Sequence, residues 1–379
     1  MSYLEYTVKS TPSGYRKLFH MNWPLTLLLI SVAGVGFLML YSVAGGSFTP
    51  WAEPQIERFG MGLVAMFVVA MVPIWFWRNM STLAYLLGIA LLIVVAQFGE
   101  EGKGAQRWIN LGFMRLQPSE VMKISVVMML AAYYDWLPEN RTSRPLWVLL
   151  PVILILLPTA LVLKQPDLGT SLLIMMAGGG VMFLAGVHWA YFAAVIAAGM
   201  GLLTAVFKSR GTDWQLLKDY QYRRIDTFLD PSTDPLGAGY HITQSKIALG
   251  SGGWNGRGFM QGTQSRLNFL PEKHTDFIFT TLAEEFGFVG GFSLLVLYSL
   301  ILIFCLFTAL ATKDRFSSLV TLGISLNFFL FFAVNMSMVM GLAPVVGVPL
   351  PMVSYGGSAM LVLMAAFGIV QSAHIHRPR

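Results

Sequence analysis

The sequence predicts an all-α membrane protein with about ten transmembrane helices, and composition and hydropathy lead to this prediction. Only 12% of the 379 residues are charged and 55% are hydrophobic, and the mean hydropathy is +0.64. A soluble domain carries about 25% charged residues. Apolar runs of roughly 20 residues, the length that a helix needs to cross the bilayer core, recur along the chain. We therefore expect one membrane domain over 1–379.

The apolar runs give the positions of the predicted spans. The fourth is the least apolar, because it contains Glu120 and Lys123. The eighth is longer than a bilayer requires, so we expect it to project beyond the membrane. The first follows basic residues as a signal peptide would, but its length favours an uncleaved anchor. The ten spans are 24–42, 58–77, 82–98, 118–135, 146–163, 168–186, 188–207, 276–311, 317–341 and 352–373.

The distribution of Lys and Arg predicts the orientation. The net charge is +6, but the Lys and Arg residues form no dense block, so we expect no nucleic-acid partner. Basic residues in short loops concentrate on the cytoplasmic side of bacterial membrane proteins. This rule and the even number of spans place both termini in the cytoplasm. The basic residues predicted to lie inside are Lys9, Arg16, Lys17, Arg78, Arg141, Arg144, Lys313, Arg315, Arg377 and Arg379.

The segment 208–275 is predicted to be a large extracytoplasmic loop. Long loops translocate largely regardless of charge, so its basic residues do not oppose this orientation. Its stretch 214–229 interleaves aromatic and aliphatic residues with charges, as a helix lying in the membrane interface does. A second short helix is expected over 239–249. A loop of this size is usually functional or disordered, and the composition favours order.

Ionisable groups are costly inside a membrane helix, so those at two positions are candidates for function. Glu120 and Lys123 are three residues apart and share one helix face, so they form either a structural ion pair or a cation ready for an anionic substrate. Asp276 lies at the start of the eighth span, where Thr275 or Asp276 could cap the helix or Asp276 could act as a general base.

The helix after Asp276 carries small residues on the same face. Thr280, Ala283, Gly287 and Gly290 would form a stripe suited to close helix packing or to a groove for a lipid tail. Glu284 and Glu285, deeper in this helix, need partners or water, and we interpret them as structural.

Two further segments are weaker candidates. The glycine-rich run 250–258 lacks the ending of a P-loop, so a flexible turn is its default interpretation. Its amides, with Arg257, Arg223 and Arg224, could nevertheless hold a pyrophosphate. Asp167 is best explained as a helix cap. The six histidines show no metal-ligand spacing, and the single Cys305 excludes a disulfide within the chain.

Several segments together resemble the SEDS family (shape, elongation, division, sporulation). The resemblance runs from residue 23 to about 371, and GTQSRLNFLPE at 262–272 is closer to the rod-shape branch than to the division branch. The matching segments are GAQRWI at 104–109, QPSE at 117–120 with Lys123, QPDLGT at 165–170, the run 234–285 and PLPMVSYGGS at 349–358.

This resemblance implies a ten-helix glycosyltransferase in the bacterial inner membrane. The implied substrate is lipid II, a disaccharide pentapeptide on undecaprenyl pyrophosphate, and the implied partner is a class B penicillin-binding protein. The family's essential aspartate maps to Asp276. Its Glu and Lys map to Glu120 and Lys123. The positions of its Arg before Trp and its Asp in the Pro-Asp-Leu-Gly-Thr turn correspond to Arg107 and Asp167.

Glycan polymerisation requires a base and a cationic site for the leaving group. We predict Asp276 as the base on the periplasmic side, Lys123 and Arg107 at the pyrophosphate, and Glu120 orienting Lys123. Mg²⁺ bridging Asp276 and the pyrophosphate is an alternative. Competing interpretations are a lipid II flippase or transporter, and a non-catalytic scaffold for the partner. Weaker substrate-binding candidates are Arg223, Arg224, Arg257 and His274.

Overall fold

The protein is mainly helical in a computed structural model. The structure describes residues 14–102, 105–110, 112, 115–216, 219–234, 237–266 and 272–377. The helices are α1 (Arg16–Phe19), α2 (Trp23–Val43), α3 (Ala52–Met71), α4 (Ile74–Phe98), α5 (Pro118–Trp136), α6 (Pro145–Lys164), α7 (Leu168–Leu184), α8 (Trp189–Ser209), α9 (Asp219–Leu229), α10 (Ala238–Ser251), α11 (Thr263–Arg266), α12 (Ile278–Leu310), α13 (Arg315–Val339) and α14 (Gly357–Ile375), with 3₁₀ turns at Glu139–Arg141 and Pro231–Thr233.

Each of the ten predicted spans corresponds to a helix. Within the described residues, eight helices are long and apolar enough to cross a membrane. The other two are α7, an apolar helix of 17 residues, and α5, which carries the predicted ion pair. The all-α prediction is thus confirmed for the body of the protein, which is an integral membrane protein.

The second predicted span was wrong at its C-terminal end. We expected it to continue to residue 77, but α3 ends at Met71 and α4 begins at Ile74. Val72 is extended (φ −74°, ψ 131°) because the following Pro73 disfavours the helical conformation of the residue before it. Proline also removes a helical hydrogen-bond donor, so the chain turns here.

The eighth span contains an interruption that the sequence did not predict. Gly287 has φ 65° and ψ −159°, a conformation suited to glycine, and it breaks α12 after its second turn. The break orphans the carbonyls of Glu284 and Glu285, which accept from the amides of Arg257 and Gly258 at 3.0 Å each. The amides released on the other side, of Phe288 and Val289, donate to the carbonyls of Gly253 and Trp254 at 2.8 and 3.1 Å.

The glycine-rich turn therefore completes the broken helix, satisfying backbone groups that would otherwise be buried without partners. The small-residue stripe predicted from 280 to 290 is wrong, because the break at Gly287 changes the helical phase. The default interpretation of 250–258 as a flexible turn is also wrong, since its backbone is hydrogen-bonded to α12.

The predicted interface helix over 214–229 is shorter than expected and forms α9, whereas α10 matches the predicted second helix.

One feature of the outer segments was not predicted at all. The chain between α4 and α5 forms a three-stranded antiparallel sheet in the order β1 (Glu100–Gly102), β2 (Ala105–Asn110) and β3 (Arg115–Leu116). Its strands are too short for a clear alternating pattern.

Several helices begin at the same end of the bundle. α3 and α14 form its most extensive contact and run parallel, since Gly62 meets Met364 and Gly368 meets Met66. The amide of Gln117, just before α5, donates to the hydroxyl of Ser358 in the first turn of α14. We call this end, where α3, α5, α7, α12 and α14 begin, the site end. In contrast, only Val206 and Ser209 are buried in α8.

Candidate functional site

Glu120 and Lys123 form a buried ion pair in the first turns of α5. The ammonium Nζ of Lys123 donates to Oε1 of Glu120 at 2.8 Å, as the three-residue spacing predicted. The Lys123 side chain is only 1% exposed, and its ammonium lies 3.7 Å from the ring centroid of Phe331. This environment strengthens any further electrostatic contact that the ammonium makes, since little water screens it.

The pair lines a narrow pocket, part of it open to solvent, which we call the Lys123 pocket. Its walls come from α3, α5, α13, α14 and the non-helical chain before α14. We call that chain, residues 348–356, the closing segment. The residues lining the pocket are Gln55, Glu120, Lys123, Ile124, Asn327, Phe331, Pro349, Leu350, Pro351, Met352, Ser354, Gly356, Ala359, Met360, Val362 and Leu363.

Asp276 belongs to a short turn at 272–277 that precedes α12, which we call the Asp276 turn. The helix begins at Ile278 after Phe277, which makes no side-chain cap. The capping interpretation of Thr275 or Asp276 is therefore wrong. The Thr275 hydroxyl instead donates to a carboxylate oxygen of Glu272 at 2.8 Å. This hydrogen bond stabilises the turn internally.

The Asp276 turn lies against the closing segment. The amide of Tyr355 donates to the carbonyl of His274 at 2.9 Å, and the hydroxyl of Ser354 donates to the carbonyl of Thr275 at 2.6 Å. Oδ2 of Asp276 lies 3.6 Å from the position that a Cβ would take at Gly347. One stretch of chain therefore contacts both the Asp276 turn and the Lys123 pocket, although Asp276 and Lys123 are 153 residues apart in the sequence.

His274 is held by its ring as well as by its backbone. The imidazole stacks on Trp51 with centroids 4.6 Å apart and an interplanar angle of 13°, and it lies 6.3 Å from the ring of Tyr355. Lys273, beside it, is partly buried, and loss of hydration lowers the pKa of its ammonium below the usual range. The geometry gives His274 a role in fixing the turn.

Arg107 and Asp167 lie beside each other at the turn before α7. The Arg107 guanidinium donates to the carbonyls of Gln165 and Pro166 at 3.0 and 2.6 Å, and its NH1 lies 4.0 Å from Asp167 Oδ2. Asp167 accepts from the amide of Thr170 at 3.1 Å, which confirms it as the cap of α7. Arg107 thus holds the turn before α7 through backbone carbonyls.

Of the remaining sequence candidates, Arg257 lies in the turn that is hydrogen-bonded to α12. Arg257 NH1 donates to the Thr263 hydroxyl at 2.9 Å, and that hydroxyl donates to Glu284 Oε1 at 3.0 Å. Arg257 therefore supports the turn that completes α12, and Glu284 has the partner that the sequence required. Arg223 and Arg224 lie on α9, but their side chains are outside the described part of the chain.

Arg58 is a residue that the sequence analysis did not single out. Its guanidinium lies 5.0 Å from the ring of Tyr355, and its Cζ is 3.5 Å from where a Cβ would sit on Gly357, at the start of α14. Its NH1 is buried without a hydrogen-bond partner. A buried donor that lacks an acceptor is costly, so this atom is suited to an incoming anion. Its neighbour Gln55 lines the pocket, but no local sequence pattern connects Arg58 to α14.

No metal site is formed by protein side chains alone in the described residues, where no three His, Cys, Asp or Glu side chains are grouped closely enough.

Residues 22–379 match the sequence model of the FtsW/RodA/SpoVE family, described as cell cycle protein. The chain belongs to this family. It is the SEDS family that the motifs at 104–109, 117–120 and 349–358 indicated, so the predicted resemblance is confirmed.

Relatives and solved structures of the FtsW/RodA/SpoVE family agree with the fold. Peptidoglycan glycosyltransferase MrdB of Escherichia coli (strain K12) is 44% identical over 360 residues, 94% of each chain. A chain of a peptidoglycan synthase complex that coordinates polymerization and crosslinking matches with TM-score 0.81 and 30% identity, over 93% of this chain and 97% of that one. The rod shape determining protein RodA of Thermus thermophilus matches with TM-score 0.71 and 26% identity, over 95% and 98%.

Proposed function

We propose that this protein is a peptidoglycan glycosyltransferase of the bacterial inner membrane, which polymerises lipid II into glycan strands for elongation of the cell wall. The observation that carries the proposal is the closing segment, which lines the Lys123 pocket and is hydrogen-bonded to the Asp276 turn. This contact supplies a carboxylate and a buried cation to one region, as the reaction requires. The site end would face the periplasm, and both termini the cytoplasm.

The reaction joins the 4-hydroxyl of an acceptor sugar to the anomeric carbon of the growing chain. The C1–O bond to the lipid pyrophosphate breaks as the new glycosidic bond forms. The Asp276 carboxylate takes the proton of the attacking hydroxyl as general base. The bonding electrons leave with the pyrophosphate, whose growing negative charge needs a positioned cation.

Lys123 is the cation that we assign to the leaving group. Its ammonium is buried, so it would stabilise developing charge more strongly than an exposed lysine does. Glu120 fixes its position at 2.8 Å. The converging N-termini of α5, α7, α12 and α14 add positive electrostatic potential at the same end. Arg58 is the second cation that we assign, because its NH1 lacks an acceptor.

Mg²⁺ bridging Asp276 and the substrate pyrophosphate stays a prediction. One carboxylate together with phosphate oxygens is a ligand set that suits this ion, and the bound ion would neutralise phosphate charge. If Asp276 holds Mg²⁺ in place of acting as the base, EDTA should abolish polymerisation and excess Mg²⁺ should restore it. Full activity in the presence of EDTA, after extensive washing, would exclude the ion.

The partner that we propose is a class B penicillin-binding protein supplying the transpeptidase. The matching solved chain belongs to a synthase complex that couples polymerization and crosslinking. A stable complex of this chain with such a protein, purified from detergent, is the expected result of co-expression. Failure to co-purify under conditions where both proteins are folded would contradict this part of the proposal.

The test of the proposed function is polymerisation of fluorescent lipid II by the purified protein with its partner. We expect polymer from the wild type and a rate reduced about 10²–10⁴-fold in Asp276→Asn, which keeps the shape of the side chain but is not a base. Glu272→Gln is the matched control in the same turn, since glutamine retains an acceptor for the Thr275 hydroxyl.

Two outcomes would contradict the proposal. Polymer formation by Asp276→Asn at the wild-type rate would remove the base assignment. An inactive wild type in a complex with a confirmed active transpeptidase would favour transport or scaffolding instead.

A further inference from the structure

Three consecutive carbonyls around Asp276 all accept hydrogen bonds from distant parts of the chain. The carbonyl of His274 accepts from the amide of Tyr355, and that of Thr275 accepts from the hydroxyl of Ser354. The carbonyl of Asp276 accepts from Nδ2 of Asn335 at 2.8 Å. A turn outside regular secondary structure is thereby fixed at three successive residues.

Asn335 bridges the Asp276 turn and the closing segment. Its Nδ2 donates to the carbonyls of both Asp276 and Val348, at 2.8 and 2.7 Å, which uses both amide hydrogens. The residue is 0% exposed and lies near the end of α13. Its Oδ1 is buried without a hydrogen-bond partner, so the two bonds of Nδ2 offset only part of the cost of burying this amide.

Ser354 makes the second connection. Its hydroxyl donates to the carbonyl of Thr275 and accepts from the amide of Leu350 at 2.8 Å. The carbonyl of Ser354 accepts from the side chain of Gln55 at 3.0 Å. Ser354, Leu350 and Gln55 all line the Lys123 pocket. The wall of the pocket is therefore hydrogen-bonded to the backbone beside Asp276.

We propose that Asn335 and Ser354 are positioning residues, which set the location of the Asp276 carboxylate relative to the Lys123 pocket. The inference rests on the proposed function, because it concerns the same reaction. Neither residue needs to touch the substrate. Both act through the backbone of the Asp276 turn, and a shift of about 1 Å in a catalytic group can reduce the rate about 10²-fold.

The test compares two buried amides of similar environment. Asn335→Leu removes the bridge at the site end. Gln371→Leu removes an amide that is also 0% exposed and also donates to two acceptors, the carbonyl of Asn22 and the hydroxyl of Thr26. Gln371 lies near the far end of α14, away from the pocket. Both changes leave buried acceptors unpaired, so both should lower the midpoint of thermal unfolding.

The kinetic readout separates positioning from stability. At a temperature where both variants are folded, we expect Asn335→Leu to lower kcat about 10²-fold with little change in KM for lipid II. Gln371→Leu should keep the wild-type kcat. Equal kcat values for the two variants, or a loss confined to KM, would overturn the inference.

Ser354 provides a milder pair of variants in case Asn335→Leu does not fold. Ser354→Ala removes one donor, and we expect kcat to fall about five- to tenfold. Ser354→Thr keeps the hydroxyl and should recover most of this loss. Wild-type kcat in Ser354→Ala would count against the inference. If Asp276→Asn is inactive while Ser354→Ala and folded Asn335→Leu are fully active, the proposed function stands and the positioning role fails.

Discussion

Lys123 and Arg107 are both cations at the site end, but their side chains make different contacts. Lys123 has one carboxylate partner and lines a pocket. Arg107 is 28% exposed and donates to two backbone carbonyls beside a second carboxylate. The guanidinium has several donors in a fixed fork, so it can join chain segments, whereas an ammonium is a compact point charge. The difference teaches that a charged residue within a family motif can serve either the substrate or the fold.

The largest expected effect comes from Lys123→Met, which removes the charge but keeps an apolar side chain of similar length. We expect polymerisation to fall about 10²–10³-fold, because the leaving group loses a preorganised cation. The variant should also lose about 3–5 kcal/mol of stability, since Glu120 becomes an unpaired buried charge. Thermal unfolding and lipid II turnover measure the two effects.

The double variant Lys123→Met/Glu120→Gln separates these effects. Removing both charges should restore much of the stability, because a buried pair replaced by neutral groups is often close to neutral. Activity should stay low. Recovery of activity together with stability would show that the pair is structural and would make Lys123 resemble Arg107.

A smaller effect on activity is expected for Arg107→Ala. The carbonyls of Gln165 and Pro166 lose their donor, which should cost about 1–3 kcal/mol in unfolding free energy. We expect kcat, measured well below the unfolding midpoint, to stay within about tenfold of the wild type. The control is Arg115→Ala, whose ion pair with Glu100 is exposed and should contribute less than about 1 kcal/mol. A large fall in kcat with no loss of stability would instead assign Arg107 to the pyrophosphate.

The smallest effect is expected for Asp167→Asn. Asparagine caps a helix about as well as aspartate, so the bond from the Thr170 amide should survive. The charge near Arg107 NH1, at 4.0 Å, is lost, and an amide cannot accept all the bonds that Oδ2 accepts from Gln117 Nε2 and Thr170 Oγ1, so we expect a change of about 1 kcal/mol in thermal unfolding. A loss of activity as large as that of Lys123→Met would place Asp167 among the groups that act on the substrate.

Three features show where sequence reasoning succeeded. Every predicted span has a helix, because the bilayer imposes a length and composition that a single segment reveals. The Glu120–Lys123 pair was also predictable, since residues three apart in a helix are neighbours wherever the helix lies. Asp167 as a cap required only the local turn and the helix that follows it.

Other features depended on contacts that no local pattern contains. The break at Gly287 is stable because the turn at 253–258 supplies its hydrogen bonds from 30 residues earlier. Asn335 has no sequence pattern that distinguishes it from other polar residues of a span. Its hydrogen bonds to the carbonyls of Asp276 and Val348 are visible only in the tertiary structure. Arg58 likewise lies beside the start of α14 only because α3 packs against α14.

The sequence by itself determined the membrane class, the positions of the spans, the family and the residue types available for catalysis, because these follow from local hydropathy and motif. The tertiary structure decided which cation lines the pocket, which one joins backbone segments, and how the Asp276 turn meets the closing segment. These features depend on the packing of helices far apart in the chain. Hydrogen bonds between such segments form only after the helices have taken their places.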